Sequence, residues 1–138
     1  MTQVVVDASA GAEIVVGTRR GRALARLLPA GAEGWVPEHF YAEVLAVVRR
    51  RVVVEGTLTE AHGAAAVQRL GGWHLHKASV APLVPAAWAY RDNMTAADAL
   101  YVVLAEHLGA SLLTDDHRLV GAPTFPKRVG VLNLPAGP

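Results

Sequence analysis

Four acidic residues stand where this chain could do chemistry. Asp7 ends the run Val4-Val5-Val6, and Asp98 opens the apolar stretch Ala99 to Leu104. Asp116 follows Leu112-Leu113-Thr114-Asp115, and Glu43 lies in Glu38-His39-Phe40-Tyr41-Ala42-Glu43-Val44. The chain has five aspartates and none falls between residues 8 and 91, so three of them beside the most apolar segments is not the pattern of a generic solvated surface. Gathered at one edge of a compact fold, four carboxylates cannot all ionise unaided. A pair about 4 Å apart repels by roughly 4 kcal/mol at an effective dielectric of about 20, so protons or a divalent cation must intervene. All-oxygen ligation selects Mg²⁺ or Mn²⁺ over zinc and leaves positions for water and phosphate oxygens. One or two such ions would activate a water and stabilise the leaving oxygen of a phosphodiester, which makes a nucleic-acid backbone the natural substrate. Each acid also has an ordinary reading: Asp7 or Asp116 as a helix cap, Asp98 as the third residue of a capping box, Glu43 as a solvated helix position.

The elements that must position these acids follow from periodicity. Gln3 to Val6 is a β-branched run that predicts a buried first strand, with a turn into a helix near Ala10 to Val16. A second helix fits Arg19 to Leu28, stopped by Pro29-Ala30-Gly31, and Trp35-Val36 is a short strand. Pro37 suits the first turn of a helix that carries Phe40, Val44, Val47 and Val48 inward and ends near Arg49-Arg50-Arg51. Thr57 or Thr59 can cap the next helix, which runs through Leu70 and is closed by Gly71-Gly72. Trp73 to Lys77 alternates as a strand, and a helix from about Pro82 carries Trp88 and Tyr90. Thr95 and Asp98 have the spacing of a capping box opening a helix to Leu108. Ser111 to Thr114 and Val129 to Leu134 complete the strands, with a short turn or helix from Asp115 to Val120. Strands alternating with helices over short connections imply a parallel sheet covered on both faces. In such sheets ligands bind beyond the carboxyl ends of the strands, where Asp7 and Asp116 fall and over which Asp98 and Glu43 can lean.

Composition bounds the rest. At 138 residues, 52% hydrophobic and 18% charged, residues 1–138 are expected to form one domain, folded apart from the Pro-Ala-Gly-Pro end. The absence of cysteine excludes disulfides, thiolate zinc sites and cysteine nucleophiles. Met1-Thr2-Gln3 lacks the start of a signal peptide and no apolar run approaches a membrane span, so a cytoplasmic protein is the default. A net charge of +1 is too small to argue for a polyanion partner, yet the bases are mostly arginine, clustered at Arg19-Arg20, Arg22, Arg26 and the triplet. Arginine suits phosphate geometry, although the ordinary reading of such clusters is a solvated helix face.

Rival sites fit poorly. His74 and His76 alternate on one strand but lack a third zinc partner, and no glycine-rich phosphate loop is present. Ser9 has no evident His-acid pairing and more naturally supports Asp7. Trp35, Trp73 and Trp88 read as core. A receiver domain would need an acidic pair near the first strand and a late lysine, and an aspartyl phosphatase a second aspartate where Ser9 stands.

From its first strand to its last the chain resembles the PIN-domain family, and specifically the VapC-type ribonuclease toxins of toxin–antitoxin pairs. Val5-Val6-Asp7-Ala8-Ser9-Ala10 is similar to the family's opening motif, and Pro37 to Val44 to its second acid on a helix. Arg91-Asp92-Asn93-Met94-Thr95-Ala96-Ala97-Asp98-Ala99-Leu100-Tyr101, followed by Leu112 to Leu119, carries the most specific match. The resemblance implies that Asp7, Glu43, Asp98 and Asp116 form a metal-binding quartet for Mg²⁺ or Mn²⁺. Ser9 and Thr114 would be supporting hydroxyls, and Arg91 and Asn93 would line or brace the site. Asp116 fits the family's Thr-x-Asp spacing, which leaves Asp115 the less certain ligand. The family also implies a three-layer α/β/α fold, dimers or toxin–antitoxin hetero-oligomers, and a small antitoxin partner that can lodge a basic side chain in the crevice. The expected function is a metal-dependent endoribonuclease, with Arg19, Arg20 and Arg22 holding the RNA backbone. The alternative is a weakly catalytic or non-catalytic module whose acidic crevice docks a protein partner in a regulatory complex.

Overall fold

The computed structural model describes residues 2–136; Gly137 and Pro138, part of the end expected to be loose, lie outside the described residues. Five strands form one sheet: β1 (Gln3–Val6), β2 (Glu33–Pro37), β3 (His76–Ala78), β4 (Ser111–Leu113) and β5 (Val131–Leu132), in the order β3-β2-β1-β4-β5. Every neighbouring pair is parallel. A central parallel strand is covered on both faces, which is why β1 reads as an unbroken apolar run and why Val4, Val5 and Val6 are fully buried.

The helices are α1 (Ala8–Val16), α2 (Arg19–Ala25), α3 (Phe40–Arg49), α4 (Glu60–Gly72), α5 (Val84–Trp88), α6 (Ala96–Leu108) and α7 (His117–Val120), with a π-type turn at Arg50–Val54 and a 3₁₀ turn at Ala81–Leu83. The chain first winds outward from β1 through β2 to β3, then returns across the sheet to β4 on the other side of β1. Parallel crossovers are right-handed, so this reversal places the helices before and after β3 on opposite faces. Accordingly α1 packs with α2, α3 and α4, whereas α6 packs with α5 and lies against β1, β2 and β4. The winding reverses between β1 and β4, the point where such sheets open a crevice.

Several boundaries differ from the sequence expectation for identifiable reasons. Helix α2 ends at Ala25, because Leu27 and Leu28 bond back three residues, to Leu24 and Ala25, in a tightened last turn before Pro29. Pro37 closes β2 and α3 starts only at Phe40. Thr59, not Thr57, caps α4 by accepting the His62 amide at 3.1 Å. That helix runs on through Gly71 and Gly72, so β3 begins late and His74 lies outside it. His76 stacks on Trp35 at 4.8 Å and pairs with Glu33 at 2.7 Å. The expectation of three core tryptophans fails at Trp88, which is 67% exposed: α5 is a short helix, and this position lies at its solvent side beneath the Arg91 guanidinium, 5.0 Å from the ring.

Gly21 is where α2 crosses α1. A β-carbon there would overlap the backbone carbonyl of Glu13, which cannot move without α1. Gly21→Ala is therefore expected to destabilise the fold by about 1–3 kcal/mol, measured as a lowered urea midpoint; an unchanged midpoint would mean that the two helices separate freely.

Candidate active site

The turns after β1 and β4 are joined through two hydroxyls and one carboxylate. Asp7 is 3% exposed and caps α1: its Oδ1 accepts the Ala10 amide at 3.0 Å and the Ser9 hydroxyl at 2.7 Å, while Oδ2 accepts the Thr114 hydroxyl. Both hydroxyls also accept amides of the turn after β4, Ser9 across the two turns from Asp115 at 2.8 Å and Thr114 within its own turn from Asp116 at 3.0 Å. Burial pushes the Asp7 carboxyl up to about 6 against the pull of these hydrogen bonds, and the nearby Asp98 charge adds to the rise.

Asp116 caps α7, its Oδ1 accepting the amides of Arg118 and Leu119 at 3.0 and 3.2 Å. Asp98 sits in the first turn of α6, where the Thr95 hydroxyl accepts its amide at 3.2 Å. Burial holds its carboxyl above the usual range; Thr95 and Arg118 oppose this, and the charges of Asp116 and Glu43 reinforce it. Glu43 occupies the first turn of α3, and its Oε1 accepts the Tyr101 hydroxyl at 2.7 Å. Asp98 is therefore the acid through which the four are linked, coupled to Asp7 on one side and to Asp116 and Glu43 on the other. They do not form a closed ligand cage: among the described residues no three acidic or imidazole side chains stand close enough together to hold an ion.

The ordinary cap readings of Asp7 and Asp116 hold alongside this coupling, since a capping oxygen can also face a crevice. Asp115 takes a different partner: the Arg20 guanidinium grips its carboxylate at 2.7–2.8 Å. Arg91 turns toward α5, donating to the Trp88 carbonyl at 3.1 Å, and Asn93 is exposed in the turn before α6. Arg19 and Arg22 are exposed, the latter bonded to the Gly17 carbonyl at 2.7 Å.

Tyr101, His39 and Arg118 join the site without standing out in the sequence pattern. Tyr101 is 1% exposed, and its hydroxyl is held protonated first by burial and then by its hydrogen bond to Glu43. His39 packs its ring 4.8 Å from Tyr101 and brings Nε2 within 3.5 Å of Glu43. The signal for Tyr101 was its spacing: three residues after Asp98 on a helix puts both on one side.

Residues 4–123 match the family model described as PIN domain. Ribonuclease VapC3 of Mycobacterium tuberculosis is 39% identical over 120 residues, covering 87% of each chain. Ribonuclease VapC12 of the same species is 35% identical over 116 residues, covering 84% of this chain and 88% of its own. Among solved structures, Mycobacterium tuberculosis VapC20, described as a sarcin-ricin loop cleaving toxin, superposes with a TM-score of 0.63 at 21% identity, over 90% of this chain and 97% of its own. VapBC2 from Rickettsia felis, bound to a DNA fragment from its promoter, superposes with a TM-score of 0.65 at 11% identity, over 96% and 98%. The chain belongs to the PIN domain family, within its group of VapC ribonucleases.

Proposed function

We propose that this chain is the endoribonuclease toxin of a toxin–antitoxin pair and hydrolyses RNA phosphodiester bonds with a divalent cation, Mg²⁺ or Mn²⁺, held by Asp7, Glu43, Asp98 and Asp116. The observation that carries the reading is that four acids from four separate elements meet at the reversal point of the sheet: Ser9 and Thr114 tie the Asp7 turn to that of Asp116, Tyr101 of α6 holds Glu43, and Asp98, on the same helix as Tyr101, feels the charges of Asp116 and Glu43 and adds its own to the rise of Asp7. The donor chemistry fits such an ion: the ligands are carboxylate oxygens alone, and burial with mutual repulsion raises Asp7 and Asp98 in a way that a cation reverses. When bound, the ion supplies a more acidic water and neutralises charge developing on the phosphate.

The protein's part is to orient and hold. Ser9 and Thr114 direct both oxygens of Asp7, the α7 amides fix Asp116, and Tyr101 fixes Glu43. Arg118, near Asp98, and the exposed Arg19 and Arg22 suit contacts to the RNA backbone, so activity should fall as salt rises. Unstacked loop nucleotides are the favoured substrate class, since RNA bases are accessible where helices open. A cytoplasmic site of action goes with the likeness to the VapC ribonucleases; among the described residues no helix is long and apolar enough to cross a membrane. A small cognate antitoxin, with or without homodimerisation, is the expected partner. Exposed apolar side chains at Leu45, Val53, Val54 and Val67, and at Val84 and Trp88, offer it surface to cover.

Labelled structured RNA should be cleaved by the purified protein with Mg²⁺ or Mn²⁺ and left intact with excess EDTA. RNA that survives every metal would overturn the nuclease reading and favour a crevice that docks a partner's basic side chain. Tyr101→Phe, which removes only the hydroxyl that holds Glu43, should lower cleavage about tenfold; an unaltered rate would show that Glu43 needs no such support.

A further inference from the structure

The arginine expected to hold RNA is engaged elsewhere. The Arg20 Nε donates to both carboxylate oxygens of Asp115 at 2.8 Å, one terminal nitrogen lies 2.7 Å from Asp115 Oδ1, and that nitrogen also donates to the Pro135 carbonyl at 3.0 Å. The Asp115 side chain is only 14% exposed and that of Arg20 33%. We infer that Arg20 is a positioning residue of the nuclease site, which acts through Asp115 to fix the turn that orients Asp7 and Asp116; this rests on the reading of the acids proposed above.

The linkage is continuous. Asp115 stands between Thr114, whose hydroxyl donates to Asp7, and Asp116, whose charge reaches Asp98. Its backbone amide donates to Ser9 at 2.8 Å, and Ser9 in turn donates to Asp7 at 2.7 Å. A rotation of the turn that released the Asp115 side chain would shift the amides of residues 115 and 116, and with them the two hydroxyls that aim Asp7. Arg20 blocks that rotation from α2, and its hold on Pro135 ties the segment after β5 to the same anchor. Planar, paired donation suits this role better than a point charge, so lysine is an imperfect substitute. The same geometry explains why two adjacent aspartates follow Thr114: one faces the acids and the other anchors the turn.

The test measures Mn²⁺ binding to the intact protein by calorimetry, without RNA, beside cleavage kinetics as Mn²⁺ and RNA are varied. Arg20→Gln and Asp115→Asn should each weaken Mn²⁺ binding about tenfold, the loss typical when a group supporting a metal ligand is removed. KM for RNA at saturating Mn²⁺ should stay within about twofold and the salt dependence should be unchanged, because no phosphate contact is lost. Arg20→Lys should recover part of the affinity, and the double variant should bind no worse than either single, as expected for residues acting through one contact. If Arg20→Gln does not fold, Arg20→Lys and Asp115→Asn carry the comparison. Wild-type Mn²⁺ affinity in these variants would overturn the inference, as would a raised KM with a flattened salt dependence, which would make Arg20 a phosphate contact. A wild-type protein that binds no Mn²⁺ would overturn the reading of the acids and this inference with it.

Discussion

Asp7→Asn is expected to stabilise the metal-free protein at neutral pH while abolishing RNA cleavage. The folded carboxyl titrates near 6 instead of 3.8, chiefly because it is buried, so between those values the folded state holds a proton that the unfolded chain has released. Stability therefore falls as pH rises through this window, by an amount that reaches roughly 3 kcal/mol above pH 6 for this group alone. Asparagine carries no charge yet can keep the local bonds: its carbonyl oxygen can accept from Ala10 and Ser9, and its amide can donate to the Thr114 oxygen. The variant should melt higher than wild type at pH 7.5 in EDTA, with the gap closing near pH 4. Added Mn²⁺ should raise the melting temperature of wild type and leave the variant unmoved, since an ion that binds only the folded state stabilises it. Cleavage should fall by about a thousandfold or more, the consequence of losing several kcal/mol of metal-assisted stabilisation. A variant that melts lower than wild type at pH 7.5 would show that Asp7 is held as a structural cap alone.

Asp98→Asn should remove cleavage to a similar extent, on the order of a hundred- to a thousandfold, with a smaller effect on folding. Asp98 lies half-buried in the first turn of α6, and the Thr95 cap accepts its backbone amide, which the substitution leaves in place. Its carboxyl is also raised by burial and by the charges of Asp116 and Glu43, so a neutral side chain is tolerated or mildly stabilising. Glu43→Gln is the informative contrast. Glutamine can still accept from Tyr101, so the side chain stays placed and only its charge is lost. Reduced cleavage in Glu43→Gln with normal melting would assign the defect to charge; full activity in Asp98→Asn would remove α6 from the site.

Much of this arrangement was legible because strand ends and helix starts leave local marks. The run Val4-Val5-Val6 followed by Asp-Ala-Ser placed Asp7 at a strand end, and the Thr95-to-Asp98 spacing placed Asp98 at a helix start. Both placements hold. Short strands at the sheet edge were less legible: β3 and β5 comprise three and two residues, too few for alternation to fix their bounds. The position of Trp88 depends on how α5 meets α6, a tertiary matter that its apolar neighbours do not encode. Contacts across long sequence separations were the least legible. Arg20 to Asp115 and Tyr101 to Glu43 join residues 95 and 58 positions apart, and a cluster of arginines on one helix looks the same whether it faces solvent or an acid. Only the folded chain separates Arg20, engaged with Asp115, from the exposed Arg19 and Arg22.

Metal-dependent cleavage at these acids is tested most directly by the rate of RNA cleavage against Mn²⁺ concentration, with wild type and Asp98→Asn in parallel. A cation held by the four acids requires a rate that rises from zero in EDTA to saturation for wild type and stays at background for the variant at every concentration. Cleavage by wild type in EDTA, or by Asp98→Asn at the wild-type rate, would contradict it.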